Sequence, residues 1–179
     1  MNKRVCRRPT ANYQLFARAR PITRLELDQL RRALPWRDGL ACAIMADTGL
    51  RVSDVLALRR DQLAPEMEIR EKKTGKYRVV HLSPPTLAEC NAYLKTTDSP
   101  FVIDCHRSTL WRSITSAAAA FGWAHITPHS FRKLFACEFC ARYGIIATQR
   151  ELQHKNVETT LAYLGDLNNL LALLGKAGA

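Results

Sequence analysis

The amino-acid sequence predicts a mainly α fold with one small antiparallel β-sheet, an α+β domain. Residues typical of helix starts and helix ends mark the limits of most segments, whereas strand-like patterns are confined to residues 67–72 and 77–82. The 179 residues, of which 47% are hydrophobic and 24% charged, suit one globular domain with its own core. Neither an internal repeat nor a low-complexity linker interrupts the chain. We therefore expect one domain with short additions at its ends.

Three helices are expected ahead of the strands. Thr23 is followed three residues later by Glu26, the spacing of a capping box, and Pro35 ends the amphipathic helix that begins there. A more apolar helix ends at Gly49, because glycine readily takes the left-handed conformation of a helix cap. The three predicted helices cover about 24–34, 36–48 and 51–61.

The two predicted strands form a hairpin. Residues 67–72 (MEIREK) and 77–82 (YRVVHL) are separated by a short polar turn, 73–76, in which Gly75 can take a positive φ. This hairpin is the whole of the expected sheet, and it presents lysines at its tip.

Later helices are marked by proline and hydroxyl caps. Ser108 caps a helix that reaches Phe121, and Thr127 followed by Pro128 starts another that ends at Gly144. Further helices are expected at 84–94, 148–153, 158–164 and, as an apolar tail, 166–179.

Composition excludes several classes of protein. No apolar run approaches the ~20 residues that span a bilayer, and the basic start at Met1 leads into no signal-peptide core. The six cysteines are scattered without a disulfide framework, which indicates free thiols in a reducing cytoplasm. We expect a cytoplasmic protein with no membrane partner.

The positive charge is concentrated at the N-terminus. The formal net charge is +11, and the first 24 residues contribute +7 because they contain seven bases and no acid. A basic arm ahead of a nearly balanced domain indicates a polyanionic partner such as nucleic acid, and a solvated terminus explains the same charge equally well. The expected nucleic-acid contacts are Lys3, Arg4, Arg7, Arg8 and, on the hairpin, Lys76.

The common signatures of cofactor and metal chemistry are absent or weak. Cys137 and Cys140 form a lone C-x-x-C inside a predicted helix, which is more typical of small core residues than of zinc ligands. Cys105 beside His106 is too weak a pattern for a nucleophile. The sequence contains neither a P-loop nor a Gly-rich dinucleotide turn, so no cofactor is expected.

Five basic residues occupy unusual places. Arg51 and His129 begin helices, Arg132 follows on the same helix face as His129, Lys73 is at the hairpin tip and His154 ends a helix. Each alone is explained as a surface cation or a capping histidine. Together they indicate a pocket for one phosphodiester without a metal, because a two-metal nuclease needs clustered carboxylates that this sequence lacks.

Four sequence boxes resemble, in order and spacing, those of a known family. TGLRVSDVLAL at 48–58 is similar to its first arginine box, EKKTGKYRVVHL at 71–82 to its lysine-bearing hairpin, HSFR at 129–132 to its H-x-x-R box, and LQHKNVETTLAYL at 152–164 to its final box. The family is that of the tyrosine recombinases, or phage integrases, and the resemblance covers about 23–165. It implies the catalytic-domain fold of that family and double-stranded DNA as partner. The implied catalytic residues are Arg51, Lys73, His129, Arg132, His154 and Tyr163.

The resemblance also implies a reaction. Tyr163 attacks phosphorus and forms a 3′-phosphotyrosyl link, with His129 as the acceptor of the phenol proton. Lys73 protonates the departing 5′-oxygen and is favoured over its neighbours Lys72 and Lys76, which lie within reach on the same hairpin. The link conserves bond energy, so a second 5′-hydroxyl can reverse the step without cofactor or metal.

The remaining implied residues bind the phosphate. Arg51 and Arg132 present planar forks to the non-bridging oxygens, where negative charge grows, and His154 donates a hydrogen bond to the same group. The implied activity is site-specific DNA recombination, seen as integration, excision or inversion. A non-catalytic DNA-binding accessory protein on the same fold is the alternative, and a type IB topoisomerase is a third interpretation.

The sequence departs from the family pattern at four places. Lys133 replaces a second histidine, Gln153 replaces a glycine, and Asp54 replaces a commoner glutamate. Residues 1–22 are far too few for the separate N-terminal core-binding domain of most members. The chain is therefore either a recombinase with only a catalytic domain or a fragment of a longer protein.

The expected domain plan has three parts. Residues 1–22 are the basic arm, 23–165 the catalytic domain and 166–179 a C-terminal helix or tail. Leucines form a stripe along this tail, so it either docks on a neighbouring protomer in a dimer or tetramer on DNA or packs on its own domain. The leucines of the stripe are Leu167, Leu170, Leu171 and Leu174.

Overall fold

The computed structural model describes residues 19–153. These residues form a mostly helical fold with one two-stranded antiparallel sheet, as the sequence predicts. In chain order the elements are α1 (Arg24–Ala33), α2 (Trp36–Thr48), α3 (Val52–Val55), a 3₁₀ turn (Arg60–Gln62), β1 (Glu66–Arg70), β2 (Tyr77–His81), α4 (Pro84–Leu94), α5 (Arg107–Ala120) and α6 (Pro128–Glu151). None of the helices within residues 19–153 is long and apolar enough to cross a membrane.

Helix α1 begins with the predicted capping box. The hydroxyl of Thr23 accepts a hydrogen bond from the N–H of Glu26 at 3.1 Å, and Glu26 Oε2 accepts from the N–H of Thr23 at 2.9 Å. Both bonds satisfy backbone donors that a helix start leaves unpaired. The helix can then turn its buried residues, Leu27 and Leu30, into the core.

Helix α2 is the centre of the core and packs against α1, α4 and α6. It is buried along nearly its whole length, which explains why its sequence is apolar on every side. It ends at Gly49, which has a left-handed φ of 63°. A Cβ on Gly49 would lie only 2.4 Å from Cδ1 of Phe135 on α6. Glycine is therefore required both by the backbone conformation and by the close approach of α6.

Two of the predicted helix boundaries are wrong. The helix expected over 51–61 ends at Val55, because the chain then turns inward to bury Leu58, whose carbonyl accepts the N–H of Val102 at 2.9 Å. The cap of α5 is His106 rather than Ser108, because Nδ1 of His106 accepts the Ser108 N–H at 3.3 Å. The burial of Leu58 decides the first boundary and the His106 side chain decides the second, and helix propensity predicts neither.

The strands β1 and β2 pair in register with Ile69 opposite Arg78. Burial alternates along both strands, so that Met67, Ile69, Arg78 and Val80 face the core. The strands end one or two residues before the predicted limits. Gly75 in the connection between them has a φ of 69°, as predicted.

Helix α6 begins and breaks where the sequence predicts. Thr127 caps it, and at Gly144 the backbone leaves the helical region, with φ 78° and ψ 172°. The helix expected over 148–153 corresponds to the stretch after this break. The helices expected over 158–164 and 166–179 lie outside the described residues.

Candidate active site

A cleft of about 410 Å³ opens where the end of α2, the β1–β2 connection, the start of α5 and the start of α6 meet. It is lined by Leu50, Arg51, Val52, Ser53, Lys72, Lys73, Arg107, Pro128, His129 and Arg132. Four residues of the predicted catalytic set are among them, and they come from three separate segments of the chain. The cleft is rich in cations, which suits an anionic ligand.

Arg51 enters the cleft from the junction of α2 and α3. It is the N-cap of α3 and has an extended backbone, with φ −72° and ψ 151°, directly after the turn at Gly49. Its Nη1 donates to Oε2 of Glu71 at 2.5 Å, and its side chain is 17% exposed. This ion pair compensates for placing a cation at a helix start.

The β1–β2 connection brings two lysines to the cleft. Lys72 and Lys73 are exposed and line it, whereas Lys76 is exposed and does not. The connection is tied down by Asp54, whose Oδ1 accepts the N–H of Lys72 at 2.9 Å. Asp54 thus connects α3 to the hairpin through this hydrogen bond.

Arg132 forms the floor of the cleft. It is 1% exposed, and its Nη1 donates to the carbonyl of Gly49 at 2.5 Å while Nη2 donates to the carbonyl of Leu152 at 3.0 Å. Its neighbour Lys133, at the position where the second histidine was expected, is also buried. The guanidinium of Arg132 therefore joins α2, α6 and the first residue of the final sequence box, Leu152.

His129 lies in the first turn of α6 at the mouth of the cleft, where it is exposed. The pKa of its imidazole is lowered from the ordinary value, first by desolvation against surrounding protein atoms and then by the charges of Arg132, Arg107, Arg51 and Lys133. A lowered pKa keeps the ring neutral at neutral pH. A neutral imidazole can accept a proton, which is the part predicted for this residue.

Two residues at the site escaped the sequence reasoning, one that lines the cleft and one directly behind it. Arg107 begins α5 and lines the cleft, and the signal that could have found it is the one used for Arg51, a cation at a helix start. Glu71 is 0% exposed and ion-paired to Arg51. No local signal marks Glu71, because a glutamate before a lysine-rich turn is ordinarily a solvated residue.

Other predicted site residues lie outside the described residues. These are His154, Tyr163, Lys3, Arg4, Arg7 and Arg8. The described chain ends at Gln153, which has a φ of 53° and whose Nε2 donates to the carbonyl of Tyr77 at 2.9 Å. The left-handed φ accounts for the glycine common at this position in the family that the sequence resembles. Here the bond to β2 holds a larger residue in that conformation.

Residues 22–169, most of the chain, match the family model described as "Phage integrase family". The chain belongs to the phage integrase family. Among curated proteins it is 30% identical over 160 residues to tyrosine recombinase XerA of Pyrococcus furiosus, with 79% of this chain and 56% of that protein covered. It is 29% identical over 150 residues to tyrosine recombinase XerD of Lacticaseibacillus casei, with 74% of this chain and 51% of that protein covered. This integrase-family chain spans about half the length of the curated relatives it matches.

Solved structures show the same fold. The crystal structure of XerA recombinase has a TM-score of 0.69 and 24% identity, with 82% of this chain and 60% of that chain covered. The lambda integrase catalytic core has a TM-score of 0.64 and 20% identity, with 76% of this chain and 92% of that chain covered. The predicted fold class, mainly α with a small antiparallel sheet and similar in fold to tyrosine recombinase catalytic domains, is confirmed.

Proposed function

We propose that this chain is a site-specific DNA recombinase that breaks and rejoins DNA through a 3′-phosphotyrosyl link to Tyr163. The observation that carries the proposal is the cleft, which gathers Arg51, Lys73, His129 and Arg132 from three segments. Similar curated proteins are named tyrosine recombinases, and similar solved structures include lambda integrase and XerH bound to DNA. Tyr163 belongs to the matched family region, although it lies outside the described residues.

The proposed cleavage step is balanced in protons and bonds. The phenol oxygen of Tyr163 bonds to phosphorus while the bond from phosphorus to the 5′-oxygen breaks. His129 accepts the phenol proton, and Lys73 gives a proton to the departing 5′-oxygen. Arg51 and Arg132 stabilise the negative charge that grows on the non-bridging oxygens. A 5′-hydroxyl then reverses the step, so the proposed cycle uses neither a cofactor nor a metal.

The neutral state of His129 supports its proposed part as a base. Its lowered pKa leaves the ring unprotonated at the pH at which it must take up the phenol proton. The cations that lower this pKa are also those that attract the phosphate, so one cluster serves both purposes. His154 completes the proposed set as a hydrogen-bond donor to the phosphate.

The basic arm is proposed to add affinity for double-stranded DNA. Residues 1–22 precede the proposed catalytic unit, 23–165, and each basic residue that meets a phosphate releases counterions. Lys76 extends this set on the hairpin, because it is exposed but does not line the cleft. The proposed arm contacts are Lys3, Arg4, Arg7 and Arg8.

The tail, 166–179, is proposed to dock on a second copy of the chain when both are bound to DNA. A second groove of about 600 Å³ is lined in part by Phe135, Phe139 and Tyr143, whose rings follow one another along α6 with centroids 5.5 and 4.6 Å apart. This aromatic row suits the leucine stripe of the tail. Similar solved structures include a lambda integrase dimer and tetramer on DNA.

Sedimentation of the chain on a DNA duplex that carries two sites tests the tail. Deletion of 166–179, and Phe139→Asp in the groove, should each reduce the assembly with two protomers while leaving binding of one protomer intact. Two-protomer assembly that survives both changes would contradict docking in trans.

A nicked suicide duplex tests the proposed reaction. A nick beside the cleavage site lets the released fragment diffuse away, so that a covalent protein–DNA adduct accumulates. The parent chain should form this adduct and Tyr163→Phe should form none. Tyr77→Phe is the matched control, because Tyr77 is 61% exposed on β2 and lines neither the cleft nor the second groove, and it should form as much adduct as the parent. Equal trapping by Tyr163→Phe would exclude Tyr163 as the nucleophile.

A non-catalytic DNA-binding protein is the second candidate. The observation that favours it is Arg132, which is 1% exposed and directs Nη1 and Nη2 to backbone carbonyls. Such a protein would bind duplex DNA with strong salt dependence and form no adduct on any nicked duplex. A recombined product from a plasmid with paired sites would exclude it.

A further inference from the structure

A buried carboxylate lies directly behind the cleft. Glu71, just after β1, is 0% exposed. Its Oε2 accepts from Nη1 of Arg51 at 2.5 Å and from the hydroxyl of Thr74 at 3.2 Å. Its Oε1 lies 3.8 Å from Nε of Arg78 and 3.9 Å from Nη1 of Arg132, and no described residue donates a hydrogen bond to it. One carboxylate therefore faces three guanidinium groups.

These three cations come from three parts of the fold. Arg51 precedes α3, Arg78 is on β2 and Arg132 is on α6, and the last two are buried. Burial by itself raises the pKa of Glu71, but the hydrogen bond from Arg51 and the charges of all three arginines outweigh it, so the pKa lies below its ordinary value. Glu151 also pairs with Arg78, at 3.3 Å between Oε1 and Nη1, so the negative charge of Glu71 chiefly offsets the mutual repulsion of Arg51 and Arg132 in a poorly solvated space.

Glu71 is also the first residue of the connection that carries the cleft lysines. Its N–H donates to the carbonyl of Lys76 at 2.9 Å, and its carbonyl accepts the N–H of Gly75 at 2.8 Å. The same residue thus pairs with Arg51 through its side chain and closes the lysine-bearing turn through its backbone. Because Thr74 of this turn also donates to the Glu71 carboxylate, movement of the carboxylate would disturb contacts on both sides of the cleft.

We propose that Glu71 is a positioning residue, whose carboxylate holds the Arg51 guanidinium in place beside the phosphate site and offsets the charge of Arg78 and Arg132 behind it. Glu71 does not line the cleft and acts through Arg51. The expected effect of Glu71 on DNA cleavage rests on the proposed recombinase function. The ion pair that restrains the Arg51 side chain is present in the chain without DNA, so it can be measured separately.

Chemical labelling of arginine measures how strongly Glu71 restrains the Arg51 guanidinium. Phenylglyoxal reacts with accessible guanidinium groups, and mass spectrometry of the peptide that contains Arg51 gives its labelling rate in the full chain without DNA. Glu71→Gln keeps the size of the side chain and removes its charge, so it should speed the labelling of Arg51 several-fold. Glu68→Gln is the matched control, because Glu68 is an exposed glutamate on β1, and it should leave the rate unchanged.

Single-turnover cleavage of the nicked duplex measures the consequence. For Glu71→Gln the cleavage rate constant should fall about 10–100-fold, by analogy with the loss of hydrogen-bond partners that orient the ligands of metal sites. The DNA concentration for half saturation should change by no more than about twofold, because many phosphate contacts supply the affinity. Glu71→Asp, which keeps the charge on a shorter side chain, should recover part of the rate. A residue that only stabilises the fold would not separate rate from affinity.

The outcomes separate the two proposals. If the parent chain forms no adduct, the proposed function fails, and faster labelling of Arg51 in Glu71→Gln still supports positioning. If Arg51 is labelled equally fast in the parent and in folded Glu71→Gln, the positioning proposal is overturned even when adduct forms. Circular dichroism checks folding. If Glu71→Gln does not fold, Glu71→Asp is labelled instead, and a rate equal to that of the parent overturns the proposal.

Discussion

The guanidinium of Arg132 donates through Nη1 to the carbonyl of Gly49 at 2.5 Å, across 83 positions of sequence. Its Nη2 donates to the carbonyl of Leu152 at 3.0 Å. One side chain of α6 thereby joins the end of α2 to Leu152, the first residue of the final sequence box. The backbone at Gly49 in turn places Arg51, so two of the three arginines that line the cleft, Arg51 and Arg132, are positioned through one shared contact.

Arg132→Lys should destabilise the fold. A single ammonium cannot reach both carbonyls, and hydrogen bonds from a charged group contribute about 1.5–3 kcal/mol each. We expect the free energy of unfolding in urea to fall by about 2–3 kcal/mol, the value of roughly one such bond. Arg150→Lys is the control, because Arg150 is exposed on the same helix, and it should change stability by less than about 0.5 kcal/mol. Equal losses in the two variants would contradict the bridging contact.

Gly49→Ala should cost far more stability than Gly75→Ala. Both glycines have a positive φ, 63° and 69°, so alanine is strained at each by about 1–2 kcal/mol. At Gly49 the added Cβ also meets the ring of Phe135 at 2.4 Å, whereas nothing lies within 4 Å at Gly75. Overpacking should add about 1–3 kcal/mol at Gly49 alone. Urea unfolding of both variants measures the difference, and comparable losses would show that α6 does not pack closely there.

The pH dependence of cleavage should move when Arg107 is neutralised. The positive charge of Arg107 lowers the pKa of His129, so Arg107→Gln should raise that pKa. If neutral His129 is the base, cleavage is lost as pH falls through its pKa. The acidic limb of the single-turnover rate profile should therefore shift to higher pH in Arg107→Gln. Arg112→Gln, exposed on the same helix, should leave the limb in place. A shift to lower pH would contradict the proposed base.

A duplex with sulfur in place of the bridging 5′-oxygen should identify the lysine that acts as the acid. A thiolate leaves without protonation, because a thiol has a pKa near 8.5. Lys73→Ala should cleave the normal duplex slowly and the sulfur duplex at the parent rate. Lys72 also lines the cleft and Lys76 does not. Neither Lys72→Ala nor Lys76→Ala should cleave the sulfur duplex faster, relative to the parent, than it cleaves the normal duplex. Rescue confined to Lys72→Ala would reassign the acid.

Much of the fold could be predicted because its signals are local. The capping box at Thr23, the left-handed turn at Gly49, the positive φ at Gly75 and the break at Gly144 each depend on one or two residues. The end of α3 could not be predicted, because it depends on where Leu58 is buried. That burial is decided by contacts with distant residues such as Val102.

The predicted cleft residues share a sequence signal with one of the two residues that were missed, Arg107, and not with the other, Glu71. Arg51, His129 and Arg132 could be found because cations near helix starts and the four spaced boxes are visible in the sequence. Arg107 carries the same helix-start signal, but it belongs to none of the boxes. Glu71 carries no signal at all, because a carboxylate beside lysines is buried only when other segments surround it.

The sequence by itself determined the helical pattern, the hairpin, the four boxes and membership of the integrase family, since all of these are written in residue types and short spacings. Tertiary structure alone decided that Lys72 and Lys73 line the cleft while Lys76 does not, and that Arg107 joins it. It also decided that Glu71 is buried against three arginines. The physical reason is that burial and ion pairing depend on which distant segments pack together, which no spacing along the chain specifies.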